Sequence, residues 1–256
     1  MKIKIAQIKT VPEPGNIHAN HHDLMRLLRD LAAHKPDVVV TPECFLDGYI
    51  SISDEVTGET IGKYGIDPAS SKEAQEWGAW AARTTCWLVV GCTRKADDGV
   101  FNSALAFDRE GKLALCYDKV HLQAHDKKFC AGSSLPVIES DFGPFGLMLC
   151  ADRRWPETVR SLALGGARII FNPSYGMHDE RNLRMMQTRS YESEVFIAFT
   201  HPGQSLITGP TGDIVCNNRV EGDRYTITEV SLSEADAARA DDYGHLKDRR
   251  PDAYNL

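Results

Sequence analysis

The sequence predicts an α/β fold, a mixed β-sheet with helices outside it, and two observations carry that prediction. Short apolar, β-branched runs alternate along the chain with stretches whose apolar residues recur at helical spacing. In two places apolar runs follow one another across a turn, as hairpin strands do, so parallel and antiparallel pairing must coexist. No repeat, low-complexity tract or linker interrupts the pattern. A chain of 256 residues at 42% hydrophobic can bury one large core, so residues 1–256 read as one domain.

The chain opens with a strand, because Ile3, Ile5 and Gln7 alternate with Lys2, Lys4, Ala6 and Ile8. Leu24, Leu27, Leu28 and Leu31 then recur on one helix face. DVVVTPE (37–43) and CWLVVGC (86–92) are runs of the buried-strand kind, and SKEAQEWGAWAART (71–84) between them is helical. The stretch 51–70 is the longest irregular piece and reads as a loop over a site. FNSALAFD and GKLALCYDKVHL form a hairpin turning at Asp108-Arg109-Glu110-Gly111. FGLMLC (145–150) and RIIFNPS (168–174) flank a helix that starts at Pro156, a residue favoured in a first helical turn. A charged helix over 179–194 and the strand VFIAFTH (195–201) follow, and the segments GPTGDIVCN and RYTITEVSL read as a second hairpin.

Charge narrows the partners. Acidic side chains number 36 against 29 basic ones, a formal charge of -7 with no long basic run, which disfavours nucleic acid and anionic membrane surfaces. Seven scattered cysteines without a close CxxC pair suggest neither a disulfide framework nor a zinc ribbon, and fit a reducing, cytoplasmic compartment. MKIKIAQIKT lacks the uninterrupted apolar core of a signal peptide, and no stretch approaches the ~18 apolar residues of a membrane span.

Polar residues at the ends of buried strands are held rigidly and face a common rim, where sites of open α/β sheets gather. Three such ends carry reactive types: Glu43 in TPECFLDGY, Lys119 in YDKVHL and Cys150 in LMLCADRRWPE. Each alone has a plain structural reading, a solvated acid or base or a small core thiol. Together, and in this order, PECFLDGY, YDKVHL and CADRRWPE resemble the three catalytic motifs of the nitrilase superfamily, carbon-nitrogen hydrolases with a Glu-Lys-Cys triad. The similarity runs nearly end to end, through FNSALAFDREGKLALCYDKVHL, the FxxG of Phe129 to Gly132, NPS after the next strand, RSYES and RRPDAY. The resemblance implies a four-layer αββα sandwich with mixed sheets, assembled as a homodimer or higher homo-oligomer, and no cofactor.

The chemistry is consistent with that resemblance. A thiol is mostly protonated at neutral pH, so a nucleophilic cysteine needs a base or a nearby positive charge. Glu43 would take the thiol proton as Cys150 attacks an amide carbonyl, Lys119 and the Ala151 N–H would hold the oxyanion, and Glu43 would protonate the departing nitrogen and then activate water. Many members of the superfamily carry a second glutamate four residues before the Phe of FxxG. That position here is His125, followed by Asp126, so either side chain is a candidate to hold Lys119, and an impaired site is the third reading.

Ala151-Asp152 after the cysteine resembles the amidase and carbamoylase branches more than true nitrilases, which show Trp-Glu there. DRRWPET resembles N-carbamoyl-D-amino-acid hydrolases, where arginines hold a substrate carboxylate, and Arg153 is the candidate for that contact. Arg154 reads as structural, paired with Asp152 or Glu157. The segment LQAHDKK is too short for the insertion of those carbamoylases, so the expectation is an amidase acting on a small carboxamide, with an N-carbamoyl amino acid hydrolase and a silent binding module as alternatives. Tyr49, Trp155, Tyr175 and His201 lie near motif edges and are candidates to line the pocket. His18 and His22 have metal-compatible spacing, but without an evident third ligand they read as a solvated face, and no metal is expected. GPTGD lacks the lysine and spacing of a phosphate loop.

Overall fold

A computed structural model describes residues 2–242 and 244–254; Met1, Tyr243, Asn255 and Leu256, which the single-domain expectation includes, lie outside the described residues. In chain order the first half contains β1 (Lys2–Ile8), α1 (Ile17–Ala32), β2 (Val38–Val40), α2 (Lys72–Thr84), β3 (Trp87–Ala96), β4 (Gly99–Phe107) and β5 (Leu113–Asp118). The second contains β6 (Val137–Ile138), β7 (Phe145–Leu147), α3 (Pro156–Leu164), β8 (Ile169–Pro173), α4 (Glu180–Ser193), β9 (Phe196–His201), β10 (Gln204–Thr208) and β11 (Ile214–Asn218), followed by β12 (Tyr225–Ser231) and α5 (Ser233–Ala240). The helix starts follow local chemistry: Asn16, Ser71 and Asp179 each accept a backbone N–H of the first turn with a side-chain oxygen, and Pro156 opens α3.

The strands form two six-stranded sheets, ordered β12-β1-β2-β3-β4-β5 and β11-β10-β9-β8-β7-β6. Each has a parallel centre and antiparallel edges, β1·β2·β3 in one and β7·β8·β9 in the other. Between the sheets lies one apolar layer, with Ile3, Ile5, Val38, Val40 and Val89 from the first meeting Phe145, Leu147, Ile169, Phe171 and Phe196 from the second. Outside the first sheet, α1 and α2 bury Leu24, Leu28, Trp77 and Trp80 against Ala6, Ile8 and Leu88. Outside the second, α3 and α4 bury Val159, Leu162 and Met186 against Met148, Ile170 and Ile197. The result is the αββα sandwich, where strand patterning by itself predicted a single mixed sheet. Both faces of the central strands are apolar, and such runs do not say which sheet a strand joins.

One local expectation needs correction, and a second gains detail. The segments GPTGDIVCN and RYTITEVSL are not a hairpin: β11 pairs with β10 across the GPTGD turn, whereas β12 crosses to the other sheet and runs antiparallel to β1, Lys2 opposite Ser231 through Ile8 opposite Tyr225. β1 gives β12 a ladder of seven residue pairs where β11 is five residues long, and Lys9 holds the crossing by donating to Asn218 Oδ1 and the Val220 carbonyl. The 51–70 stretch is also less irregular than its composition suggests. It contains short 3-10 turns at Ile50–Ile52 and Ile61–Tyr64, and it buries Val56 and Ile61 against Phe129 of the FxxG segment. Lys128 ties the two together, donating to the carbonyls of Ser51 and Ser53 at 2.7 Å each.

Candidate active site

Three backbone features bring the strand-end residues to one place. β2 stops at Val40, and the chain turns through Glu43 and Cys44, whose φ of 47° is left-handed. β3 can approach this turn because residue 91 is glycine: a Cβ there would lie 2.4 Å from the Pro42 carbonyl oxygen and 2.9 Å from the Glu43 Cα. The Gly132 of FxxG works the same way on the lysine segment, since a Cβ on it would stand 2.1 Å from the Asp118 carbonyl oxygen, and its N–H donates to the Lys119 carbonyl. Cys150 starts a 3-10 turn, Cys150–Arg154, with φ 41°, a sharp elbow that lifts the thiol off the end of the β7 run.

Glu43, Lys119 and Asp126 form a fully buried cluster. Lys119 Nζ donates to Glu43 Oε1 at 2.7 Å and to Asp126 Oδ2 at 2.6 Å. Burial pushes the Lys119 ammonium down, but the negative charges of Glu43, Cys150 and Asp126 outweigh it and hold its pKa above the ordinary lysine value. Glu43 Oε1 also accepts from Asn102 Nδ2 at 2.9 Å, whereas Glu43 Oε2 is buried with no hydrogen-bond partner. That atom is an acceptor waiting for a donor.

The side chain on Lys119 is therefore Asp126, not His125. A 3-10 turn over Ala124–Lys128 shifts the acid one residue, and Gln123 N donates to the same Asp126 oxygen at 3.2 Å. His125 instead bonds the Tyr49 hydroxyl through Nε2 at 2.9 Å. Tyr49 stacks on Tyr175 with ring centroids 4.7 Å apart, so the three rings form one wall. Burial pushes the Tyr49 phenol far up, aided by the charges of Glu43 and Cys150.

Arg153 lies fully buried beside the sulfur. Its Nη1 donates to Cys150 Sγ at 3.4 Å, Nε to Asn182 Oδ1 at 2.6 Å and Nη2 to the Met177 carbonyl at 2.7 Å, so each of its three nitrogens already has a partner within the protein. Ala151 is buried in the same elbow. Trp155 is not in the wall: it is 37% exposed and lies flat on His121, 4.1 Å between centroids. Asp152 pairs with neither arginine; it accepts from Tyr117 Oη, His121 Nδ1 and the backbone N–H groups of His121 and Leu149, joining the cysteine elbow to the lysine segment. His201 backs the wall from β9. Its Nδ1 accepts from Gly203 N, so its Nε2–H donates to the Tyr175 carbonyl at 2.7 Å, and burial, with His178 and Arg153 nearby, pushes its pKa down to about 4. His21 of the early histidine cluster bonds Glu76, and among the described residues no group of three or more ligands could hold a metal.

Sequence reasoning assigned no role to Asn102, Asp47 or Asn182. A polar residue inside a buried apolar strand was the available signal for Asn102. Asp47 orders the Glu43 turn by accepting from Thr93 N at 2.8 Å and Ile50 N at 3.3 Å, and burial raises its carboxyl to about 7 against those hydrogen bonds. Asn182 carries no such signal, because it lies in a charged helix.

The carbon-nitrogen hydrolase family model matches residues 2–240. The chain is similar to a probable nitrilase of Schizosaccharomyces pombe, 25% identical over 99% of this chain and 98% of that one. It is also similar to an omega-amidase of Saccharomyces cerevisiae, 25% identical over 99% of this chain and 95% of that one. Among solved structures, a carbon-nitrogen hydrolase from Helicobacter pylori superposes with a TM-score of 0.86 at 22% identity, over 100% of this chain and 98% of that one. With the matched segment spanning every element from β1 to α5, the chain belongs to the carbon-nitrogen hydrolase family.

Proposed function

We propose that the protein is a cysteine-dependent amidase, one domain that releases ammonia from a small carboxamide through a thioester. The observation that carries this reading is the divided use of the Glu43 carboxylate. One oxygen is fixed by Lys119 and Asn102, and the other is buried and unpartnered. Glu43 Oε2 takes the proton of Cys150 as the sulfur bonds to the substrate carbonyl carbon, and the carbonyl oxygen gathers negative charge. The Lys119 ammonium has a third N–H beyond the two bound by carboxylates, and with the Ala151 N–H it donates to that oxyanion, each donor supplying about 3 kcal/mol. The proton returns from Glu43 to nitrogen, ammonia leaves, and a thioester remains. Water then gives its proton to Glu43 and its oxygen to the acyl carbon, and the acid is released with the thiol restored.

The neutral partners already bound by Arg153 favour a carboxamide over a carbamoyl amino acid, whose carboxylate would need that guanidinium. The Glu43–Lys119–Asp126 cluster also speaks against a silent module, since burying an ammonium between two carboxylates costs stability that a binding scaffold has no need to give up. Ammonia release across small carboxamides, N-carbamoyl amino acids and nitriles tests the assignment: carboxamides alone should turn over. Release from nitriles with none from carboxamides overturns it.

The same geometry makes Gly91→Ala an informative variant. The added Cβ meets backbone on the Glu43 turn at 2.4 Å and 2.9 Å, where no side chain can give way. Moving Glu43 by a fraction of an ångström to 1 Å should lower kcat by about 10²-fold and stability by about 1–3 kcal/mol. Ammonia release and a thermal melt on one preparation check both, and a variant at wild-type rate refutes the close-packing account.

A further inference from the structure

We infer that Arg153 is the counter-ion of the Cys150 thiolate, the positive charge that lets this sulfur ionise where Lys119 is already neutralised; the inference rests on Cys150 being the nucleophile of the proposed reaction. Lys119 is matched by two carboxylates, Glu43 at 2.7 Å and Asp126 at 2.6 Å, so this buried trio carries one excess negative charge. A thiolate formed beside it while Glu43 stays ionised would meet a repulsive field unless another cation were present.

Arg153 is that cation. It is as buried as the trio, with Nη1 3.4 Å from Cys150 Sγ. Its other partners are all neutral: the Asn182 side-chain oxygen, the Met177 carbonyl and the ring of Phe199, whose centroid is 5.0 Å from the guanidinium carbon. Among the described residues no carboxylate forms an ion pair with it. Its charge is therefore unspent and directed at sulfur. With Arg153 counted, the assembly is neutral before and after the thiol proton passes to Glu43, so the transfer separates no net charge from the pocket. An arginine suits the task because it stays ionised when buried and holds three directions in one plane.

The remaining groups around the sulfur do not substitute for it. From the other sheet's loops come Glu43, Lys119, Asp126 and Tyr49, whose sum is negative or neutral. On the same elbow, Asp152 is turned to Tyr117, His121 and Leu149 N. Behind the wall, His201 and His178 stack on each other, and burial, which pushes the His201 pKa down to about 4, keeps that ring neutral.

The test is the pH dependence of Cys150 alkylation by iodoacetamide, read by mass on the Cys150 peptide so that the other cysteines do not interfere. It is run on wild type, Arg153→Gln and Asn182→Asp. Removing an opposite charge at this range should raise the midpoint by about one to three pH units in Arg153→Gln. Asn182→Asp leaves the guanidinium in place but sets a carboxylate against Nε, 2.6 Å away in the present geometry, and should shift the midpoint the same way. An arginine that only packs would leave the Arg153→Gln midpoint unmoved. If Arg153→Gln does not fold, Asn182→Asp decides alone; a midpoint unchanged in the folded variants overturns the inference. Because alkylation reads the sulfur and not turnover, shifted midpoints in a protein that hydrolyses no amide would uphold the counter-ion and reject the amidase.

Discussion

Cys150→Ala should fold as wild type does and lose at least about 10⁴-fold in turnover, a loss of the size seen when a nucleophile is removed from a unit that acts together. The fold should tolerate it because the change removes one sulfur atom and keeps the Cβ. The backbone at residue 150 has φ 41°, a region that alanine enters at about the same cost as cysteine, so no new strain arises. The stability change should stay within about 1 kcal/mol, since neither a large cavity nor a second buried partner is created. Arg153 loses one contact, at 3.4 Å, but keeps Asn182 and Met177. Turnover should vanish because nothing else near the pocket can take over. The neighbouring thiol, Cys44, is buried and bonded to Asn102 Oδ1, and burial pushes its pKa up. Ammonia release and denaturant melts on the same preparation check both halves, with an acyl adduct trapped on wild type as control. A Cys150→Ala enzyme at wild-type rate would end the thioester mechanism.

The strands and helices were legible where periodicity was strong. The alternation in Lys2–Ile8 places Ile3 and Ile5 between the sheets and Ala6 and Ile8 under the helices, as a period of two requires. Pairing was less legible, because the number of sheets depends on long-range contacts that a short apolar run does not encode; β12 reads like a hairpin partner of β11 and pairs with β1. The site shows the same division. Glu43, Lys119 and Cys150 announce themselves as reactive types at strand ends, and spacing left His125 and Asp126 both open. Only the 3-10 turn at Ala124–Lys128, with its Gln123 N hydrogen bond, turns the carboxylate of Asp126 onto Lys119. The DRRWPET pattern points to Arg153 as a clamp for substrate. Its packing against Asn182, from a helix 29 residues onward, changes what that charge is available to do.

Lys119→Met should be the most destabilising single change in the site, by about 3–5 kcal/mol near neutral pH, because it leaves buried charges without their partner. Methionine matches the lysine stem in length, so packing is largely kept and the effect is electrostatic. Glu43 Oε1 and Asp126 Oδ2, each within 2.7 Å of the ammonium in wild type, would face one another with no cation between them and no water around them. Two carboxylates so placed cannot both stay ionised, and the pair takes up a proton. The sign of the pH dependence follows. The variant's folded state holds that proton to higher pH than its unfolded chain does, so its stability is greatest below the ordinary carboxylate range, at about pH 4, and is lost as pH rises through the raised folded value. Wild type lacks this signature, because the Lys119 pKa is raised, and the stability tied to it persists up to the ordinary lysine range and is lost only above it. Urea melts from pH 4 to pH 8 should therefore show the two proteins diverging as pH rises. Adding Asp126→Asn to Lys119→Met removes one of the facing charges and should restore much of the stability at pH 8, yet no activity, since the oxyanion still lacks its ammonium. A Lys119→Met protein as stable as wild type at pH 8 would mean that the two acids never shared that cation, and the electrostatic account of the pocket would fall with it.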